Sequence, residues 1–218
     1  MESIKVHVLP VVSVPFEENS YIVYLDGSSR CLVIDPGLEP DRIVQQMDAE
    51  KLTPAAILNT HGHADHIGGN AALKQRWPDC PLIIGEDDAR KLTDPQQNLS
   101  APFGFSVTSP PADATVTDGQ VYSAAGIDLR VLVIPGHSVG HVVYLIEEHE
   151  PPLAFVGDVI FSGSIGRTDF PDGSFQSLAD GIRSKLYRLP ANTELFPGHG
   201  PPTTVGQEKT HNPFVAGL

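Results

Sequence analysis

The segment Thr60-His61-Gly62-His63-Ala64-Asp65-His66 most constrains what this chain can become. It sets three histidines and a carboxylate within six residues, directly after the apolar run Ala55-Ala56-Ile57-Leu58-Asn59. A short apolar run bounded by polar residues predicts a buried strand over residues 55–59. Neutral imidazole and carboxylate are preferred ligands of zinc, iron and manganese. His61 and His63 are two apart, so on extended backbone they project to one side. Asp65 and His66 fall on the turn into the next helix. One loop therefore offers two ligand pairs, enough to begin two adjacent metal sites. The bland alternative is a solvated loop that happens to be rich in histidine. Partners farther along the chain weigh against it.

Three later segments repeat one pattern, in which an apolar strand stops at a turn that bears a ligand type. Residues 131–134 run into Pro135-Gly136-His137, residues 154–156 into Gly157-Asp158, and Leu195-Phe196 into Pro197-Gly198-His199. Strand ends are rigid and fix ligand geometry well. Neighbouring glycines leave room for close backbone approach. A single His or Asp of this kind would be unremarkable, whereas four strand ends sharing the pattern point to one metal centre.

The rest of the sequence supplies a framework. Strands are expected over 4–9, 21–25, 31–34, 82–84, 127–134, 142–146 and 153–156, with a hairpin at Asp26-Gly27-Ser28-Ser29. Helices are expected over 40–50, 66–76, 87–92 and 204–210. Another, over 174–188, would bury Phe175, Leu178, Ile182, Leu186 and Leu189. Helices between β-meanders, without strict βαβ alternation, suggest two packed sheets with helices outside. Residues 93–111 carry four prolines around Phe103-Gly104-Phe105. So long a loop is usually functional or disordered, and its apolar pair predicts order beside a site, with a lid as one use.

Length and charge narrow the function classes. The 218 residues fit one domain with a sizeable core. Fourteen Lys and Arg against 27 Asp and Glu give a net charge of −13. That disfavours nucleic acid and anionic membranes as partners. Cys31 and Cys80 have no CxxC context and read as packing thiols of a reducing compartment. The N-terminus lacks the pattern of an export signal, and no apolar run is long enough to span a bilayer. A cytoplasmic protein is therefore expected; nothing here sets its oligomeric state.

THGHADH, then PGHSVGH over 135–141, then Gly157-Asp158, then PGHG over 197–200 resemble the metallo-β-lactamase-fold hydrolases. The order and spacing match over almost the whole chain. The resemblance implies an α+β fold, a four-layer αββα sandwich with its site at one edge between the sheets. It implies one metal held by His61, His63 and His137, a second by Asp65, His66 and His199, and Asp158 bridging both. Asp65 and Asp158 would then also serve catalysis, Asp65 through the nucleophile. Two divalent ions are implied, with zinc first and iron or manganese as alternatives. A metal-held water ionises near pKa ~7, so hydroxide is available at neutral pH without a serine or cysteine nucleophile.

Gly163-Ser164-Ile165-Gly166-Arg167-Thr168-Asp169-Phe170-Pro171 and the tail from Pro197 to Phe214 are similar to the short bacterial glyoxalase II-like proteins. That likeness implies thioester hydrolysis: S-(2-hydroxyacyl)glutathione and water giving a hydroxy acid and glutathione. Arg167 stands where longer glyoxalase II enzymes place a basic residue for a glutathione carboxylate. An internal Arg167–Asp169 pair is the competing role. Phe103 is the other candidate substrate contact. Two features depart from the longer enzymes: their C-terminal helical domain has no counterpart, and their tyrosine two positions after the basic residue is Asp169 here. Another thioester is thus an open alternative. So is a persulfide dioxygenase, which shares GRTDF and would use one iron held by His61, His137 and Asp158. An electron-transfer module would need a fused flavodoxin-like domain. Ribonuclease and β-lactamase readings conflict with the acidity, the missing appended domains and the absent export signal. His141 could support the ligands or simply pack; His7 and His149 carry no assignment, and His211 none either.

Overall fold

The fold is described by a computed structural model over residues 5–216. Strands β3 (Arg30–Ile34) and β9 (Val142–Ile146) explain its layering. All of β9 is buried, and in β3 only the first residue is exposed. Successive side chains point to opposite faces, so strands buried throughout need cover on both sides. Val142, Tyr144 and Ile146 join Leu32 and Ile34 in a shared apolar cluster between the sheets. Val143 and Leu145 enter a second cluster, and Cys31 and Val33 a third.

The first sheet runs β1 (Val6–Ser13), β2 (Glu18–Leu25), β3, β4 (Thr53–Leu58), β5 (Leu82–Gly85) and β6 (Ala114–Val116). The second runs β14 (Thr203–Thr204), β13 (Glu194–Pro197), β10 (Leu153–Gly157), β9, β8 (Ile127–Val133) and β7 (Val121–Ala124). A hairpin of β11 (Ile160–Phe161) and β12 (Ser164–Ile165) stands apart. Helices α1 (Pro40–Ala49) and α3 (Asn70–Arg76) cover the first sheet through Ile43, Met47 and Leu73. Helices α4 (Phe175–Ser184) and α5 (Val205–His211) cover the second through Leu178, Ile182 and Val205. The result is the expected αββα sandwich of the metallo-β-lactamase fold.

Local chemistry starts these helices where the sequence asks. Pro40 opens α1, its missing N–H costing nothing at that position. The Ser174 and Thr204 hydroxyls cap α4 and α5 by accepting from Ser177 N and Gln207 N.

Several expectations need correction. The helix predicted over 66–76 is two, α2 (Ala64–Ile67) and α3, parted at Gly68-Gly69. Gly69 N–H donates to Pro36 O at 2.7 Å, and a Cβ there would lie 2.7 Å from Gly37 O. The close approach of the chain after β3, not helix propensity, decides that break. Residues 86–93 form a 3₁₀ segment, and the 174–188 helix stops at Ser184 before a 3₁₀ turn. Phe175 faces solvent rather than the core. β6, β7, β11, β12 and β14 were not foreseen. Strand β1 runs on to Ser13, and the predicted start at Ile4 lies outside the described residues.

Cys31 and Cys80 are buried and unbridged. Burial pushes their thiols up to about 12 and about 11, which keeps both protonated and unreactive. Among the described residues, no helix is long and apolar enough to cross a membrane.

The architecture brings the ligand-bearing turns to one edge. β3 and β4 are parallel, with Ile34 beside Leu58; β10 and β13 are parallel, with Gly157 beside Pro197. Hydrogen bonds cross between the sheets there: Val142 N to Thr60 O at 2.8 Å, and Tyr144 Oη to Asn59 O at 3.1 Å. Tyr21 Oη donates to Pro197 O at 2.6 Å and Asn19 N to Gly198 O at 2.7 Å.

Candidate metal centre

All seven residues expected to hold metal meet at this edge. His61, His63 and His137 form one group, and Asp65, His66 and His199 another; within each, the ligand atoms lie within 4.8 Å of one another. Asp158 stands between them. Its Oδ2 is 3.4 Å from His137 Nε2, and its Oδ1 is 3.4 Å from His66 Nε2. Asp65 Oδ2 approaches His199 Nε2 at 3.3 Å. Gly198 makes this packing possible, because a Cβ there would lie 2.3 Å from Asp158 Oδ1.

The donor atoms fit metal on the chemistry of their own surroundings. Nε2 of His61, His63, His66 and His137 is buried without a hydrogen-bond partner, as is Asp158 Oδ1. Five orphaned polar atoms in one place would be costly in a closed protein interior. Meanwhile the opposite ring nitrogens are held. His66 Nδ1 is 3.0 Å from Asp35 Oδ2, and His61 Nδ1 is 3.1 Å from Thr60 Oγ1. His137 Nδ1 meets Arg167 O at 2.9 Å, and His199 Nδ1 meets Phe16 O at 3.0 Å. A proton fixed on Nδ1 leaves the Nε2 lone pair free for a cation.

Electrostatics splits the histidines in two. Burial, then His66, hold His61 well below the usual imidazole range; burial and His137 do the same to His63. Burial also lowers His137. At His66 burial opposes charge, but Asp65, Asp158 and Asp35 outweigh it and raise the imidazole well above its ordinary value. His199 is raised too, its burial overcome by Asp65 and Asp158. Burial disfavours the Asp158 charge, yet His66, His137 and His199 hold its carboxyl well below the usual range. The chain by itself thus balances the two carboxylates with protons on His66 and His199, where divalent ions would otherwise supply the charge.

Several supporting residues escaped sequence reasoning. Asp35, at the end of β3, also accepts from Thr60 N at 2.7 Å and Thr60 Oγ1 at 2.6 Å. Asp35 forms a third possible ligand trio with His61 and His66. Because it meets the Nδ1 side of His66, we read it as the residue that orients the ring. Its sequence signal was present: Ile34-Asp35-Pro36-Gly37 is another strand end with an acidic turn. Buried Asp88 accepts from Gly62 N and Gly140 N, each at 2.8 Å, and from the Ser138 hydroxyl. One carboxylate thereby ties the loop of His61 to the loop of His137. Lys91 neutralises it at 3.3 Å and reaches Asp172 at 2.6 Å. Glu18 is buried near His66, and burial pushes its carboxyl well above the usual range. His141 takes a supporting role, since its Nε2 accepts from Asp158 N–H at 3.0 Å and its ring stacks on His61.

A cavity of about 540 Å³ opens over His63, Asp65, His137, Asp158 and His199. Phe103 and Arg167 both line it. Arg167 is already engaged: its guanidinium makes a bidentate pair with Asp169 at 2.7 and 2.6 Å and lies 4.3 Å over the Phe170 ring. Hydrogen bonds tie the segment 93–111 to itself and to the loop that carries the first ligands. Asn98 Nδ2 donates to Val107 O at 2.9 Å, Ser100 Oγ accepts from Val107 N at 3.1 Å, and Ala64 N donates to Asn98 O at 3.0 Å.

Known proteins are similar to this chain over most of its length. A hydroxyacylglutathione hydrolase, GloC of Haemophilus influenzae, is 36% identical over 96% of this chain and 97% of its own length. A crystal structure of TTHA1623 in a di-iron-bound form is 34% identical, with a TM-score of 0.81 over 95% of this chain and all of that one. The structure of ETHE1 from Myxococcus xanthus is 26% identical, with a TM-score of 0.78 over 97% of this chain and 85% of that one. The Metallo-beta-lactamase superfamily model matches residues 14–199, which hold all seven residues of the centre. Fold, centre and match agree that this chain belongs to the metallo-β-lactamase superfamily of metal-dependent hydrolases.

Proposed function

We propose that this protein is a binuclear-metal thioester hydrolase that converts S-(2-hydroxyacyl)glutathione and water to a 2-hydroxy acid and glutathione. The observation that carries this reading is the stance of Asp158: one carboxylate oxygen faces His137 of the first trio, the other faces His66 of the second, each at 3.4 Å. A carboxylate so placed suits two cations. In this reading His61, His63 and His137 hold one ion, and Asp65, His66 and His199 the other. Zinc suits the mixed His and Asp donors, and iron or manganese would be accepted by them too. When bound, such a pair of ions supplies hydroxide near neutral pH and polarises a carbonyl.

The chain's own residues then position and exclude. Asp158 and Asp65 face the open cavity and can hold the attacking oxygen by accepting its hydrogen bond. The C–S bond breaks as the water oxygen joins the acyl carbon, and the thiolate leaves with the released proton. A thiolate is a good leaving group, so no further general acid is required. Phe103 and Arg167, at the cavity wall, are the proposed substrate contacts. The similarity to GloC supports the glutathione conjugate as substrate.

A second reading, one iron and oxygen-dependent persulfide oxidation, is supported by the similarity to ETHE1. The complete second trio favours the hydrolase. Two assays on one preparation separate them. Hydrolysis of S-lactoylglutathione, followed by thiol release, is expected without oxygen uptake. Oxygen consumption with glutathione persulfide and no thioester hydrolysis would reverse the assignment.

A further inference from the structure

The cavity above the centre is walled by aromatic rings. Phe161 packs edge-on to His199 at 6.0 Å, and Phe170 edge-on to His63 at 5.3 Å. Phe16 and Phe105 meet at 6.3 Å across its mouth, and Phe103 stands beside them. These last three rings are 43%, 56% and 61% exposed, a large apolar area to leave in water. Phe103 N and Phe105 N both donate to Ser100 O, at 3.1 and 2.9 Å, and Ser100 is itself fixed by Asn98, which anchors their backbone at the mouth.

Cations are scarce. Arg167 is the one Lys or Arg among the described lining residues, and Asp169 takes the Nε–Nη2 edge of its guanidinium. A glutathione moiety carries two carboxylates. Against these walls the outer Nη1–Nη2 edge of Arg167 could take one of them, and the other would go unpaired, which is strongly disfavoured for a buried carboxylate. The charged thiol half of a conjugate is therefore better served by solvent and by Arg167, while an apolar acyl group gains by covering the exposed rings.

We propose that the aromatic cavity is an acyl-group subsite selecting thioesters with bulky apolar acyl chains, aromatic ones above all, over small acyl groups such as lactoyl. The proposal rests on the thioester-hydrolase reading and deepens it. Its carbonyl end would sit at Asp158 and Asp65, and its apolar end among Phe16, Phe103, Phe105 and Phe161. Offset and edge-on contacts to those rings favour a phenyl group over an alkyl chain of equal size.

The test keeps the thiol fixed and varies the acyl group. S-lactoylglutathione and S-mandeloylglutathione share a 2-hydroxy group and differ by methyl against phenyl. With the metal-loaded protein, kcat/KM for the mandeloyl ester is expected about tenfold or more above that for the lactoyl ester, the scale of pocket discrimination between apolar groups. Phe105→Ala and Phe103→Ala remove exposed rings, so folding is not at stake, and each should shrink the mandeloyl-to-lactoyl ratio at least threefold. A ratio of one or less overturns the acyl subsite while leaving thioester hydrolysis standing. A high ratio that neither variant changes also overturns it, because the selectivity then lies elsewhere. No hydrolysis of either ester overturns the subsite and the hydrolase reading together.

Discussion

Asp35 Oδ2 lies 3.0 Å from Nδ1 of His66, and both side chains are fully enclosed. The contact fixes which nitrogen carries the proton and turns Nε2 toward Asp158 and Asp65. Asp35→Ala should therefore weaken metal binding about 10–100-fold, the usual effect of losing a carboxylate behind a histidine ligand. Asp35→Asn, which keeps the shape and an acceptor oxygen, should cost less. Competition against a chromogenic chelator measures both. Equal affinity in wild type and Asp35→Ala would show that the ring needs no such support.

Metal uptake should release protons in a pH-dependent way. His66 and His199 are raised above ordinary imidazole, so the metal-free chain holds them protonated through and above the usual titration range. Cations must displace those protons, and affinity falls as pH drops. The sign for folding is opposite. A raised histidine stabilises the metal-free fold below its unfolded value, and that contribution disappears as pH rises through the folded value. Calorimetric titration in buffers of different ionisation enthalpy should show proton release sustained above the usual imidazole range, still present at pH 8. Release that is confined to pH 6 and gone at pH 8 would contradict the assignment of charge.

Asp88 should matter to stability more than its distance from the cavity suggests. Asp88→Ala leaves Gly62 N and Gly140 N without acceptors and strips buried Lys91 of one partner. Removing one member of a buried ion pair costs about 3–5 kcal/mol. The remaining Asp172 contact at 2.6 Å argues for the lower end of that range. Urea unfolding of the metal-free variant reads the loss. A cost under ~1 kcal/mol would show that the network is incidental.

The legible and illegible parts of this protein differ for a physical reason. The metal-site residues were readable because each sits where a short apolar run meets Gly, Pro or an acidic residue, a local signal. Layering was readable because β9 and the end of β3 are apolar on both faces. Asp88 and Lys91 were not readable, since Gly62, Ser138 and Asp172 lie far away in sequence and only the fold brings them together. β11, β12 and β14, with two residues each, carry no usable periodicity. The break at Gly68-Gly69 depends on Pro36 and Gly37, more than thirty residues earlier. At Arg167 the sequence left two roles open, and the bidentate contact with Asp169 forms one of them.

Asp158→Asn should weaken both trios at once, because each loses a charged oxygen. Metal content is expected to fall below one ion per chain after dialysis, with thioester hydrolysis down by at least a hundredfold. Near-normal turnover with two retained ions would mean the two groups do not share this residue.

The most direct test is titration of the metal-free wild-type chain with zinc while S-lactoylglutathione and S-mandeloylglutathione hydrolysis are followed. The binuclear account predicts that activity rises to a plateau at two equivalents per chain. A plateau at one equivalent, or activity restored by iron alone and accompanied by oxygen uptake on a persulfide, would contradict it.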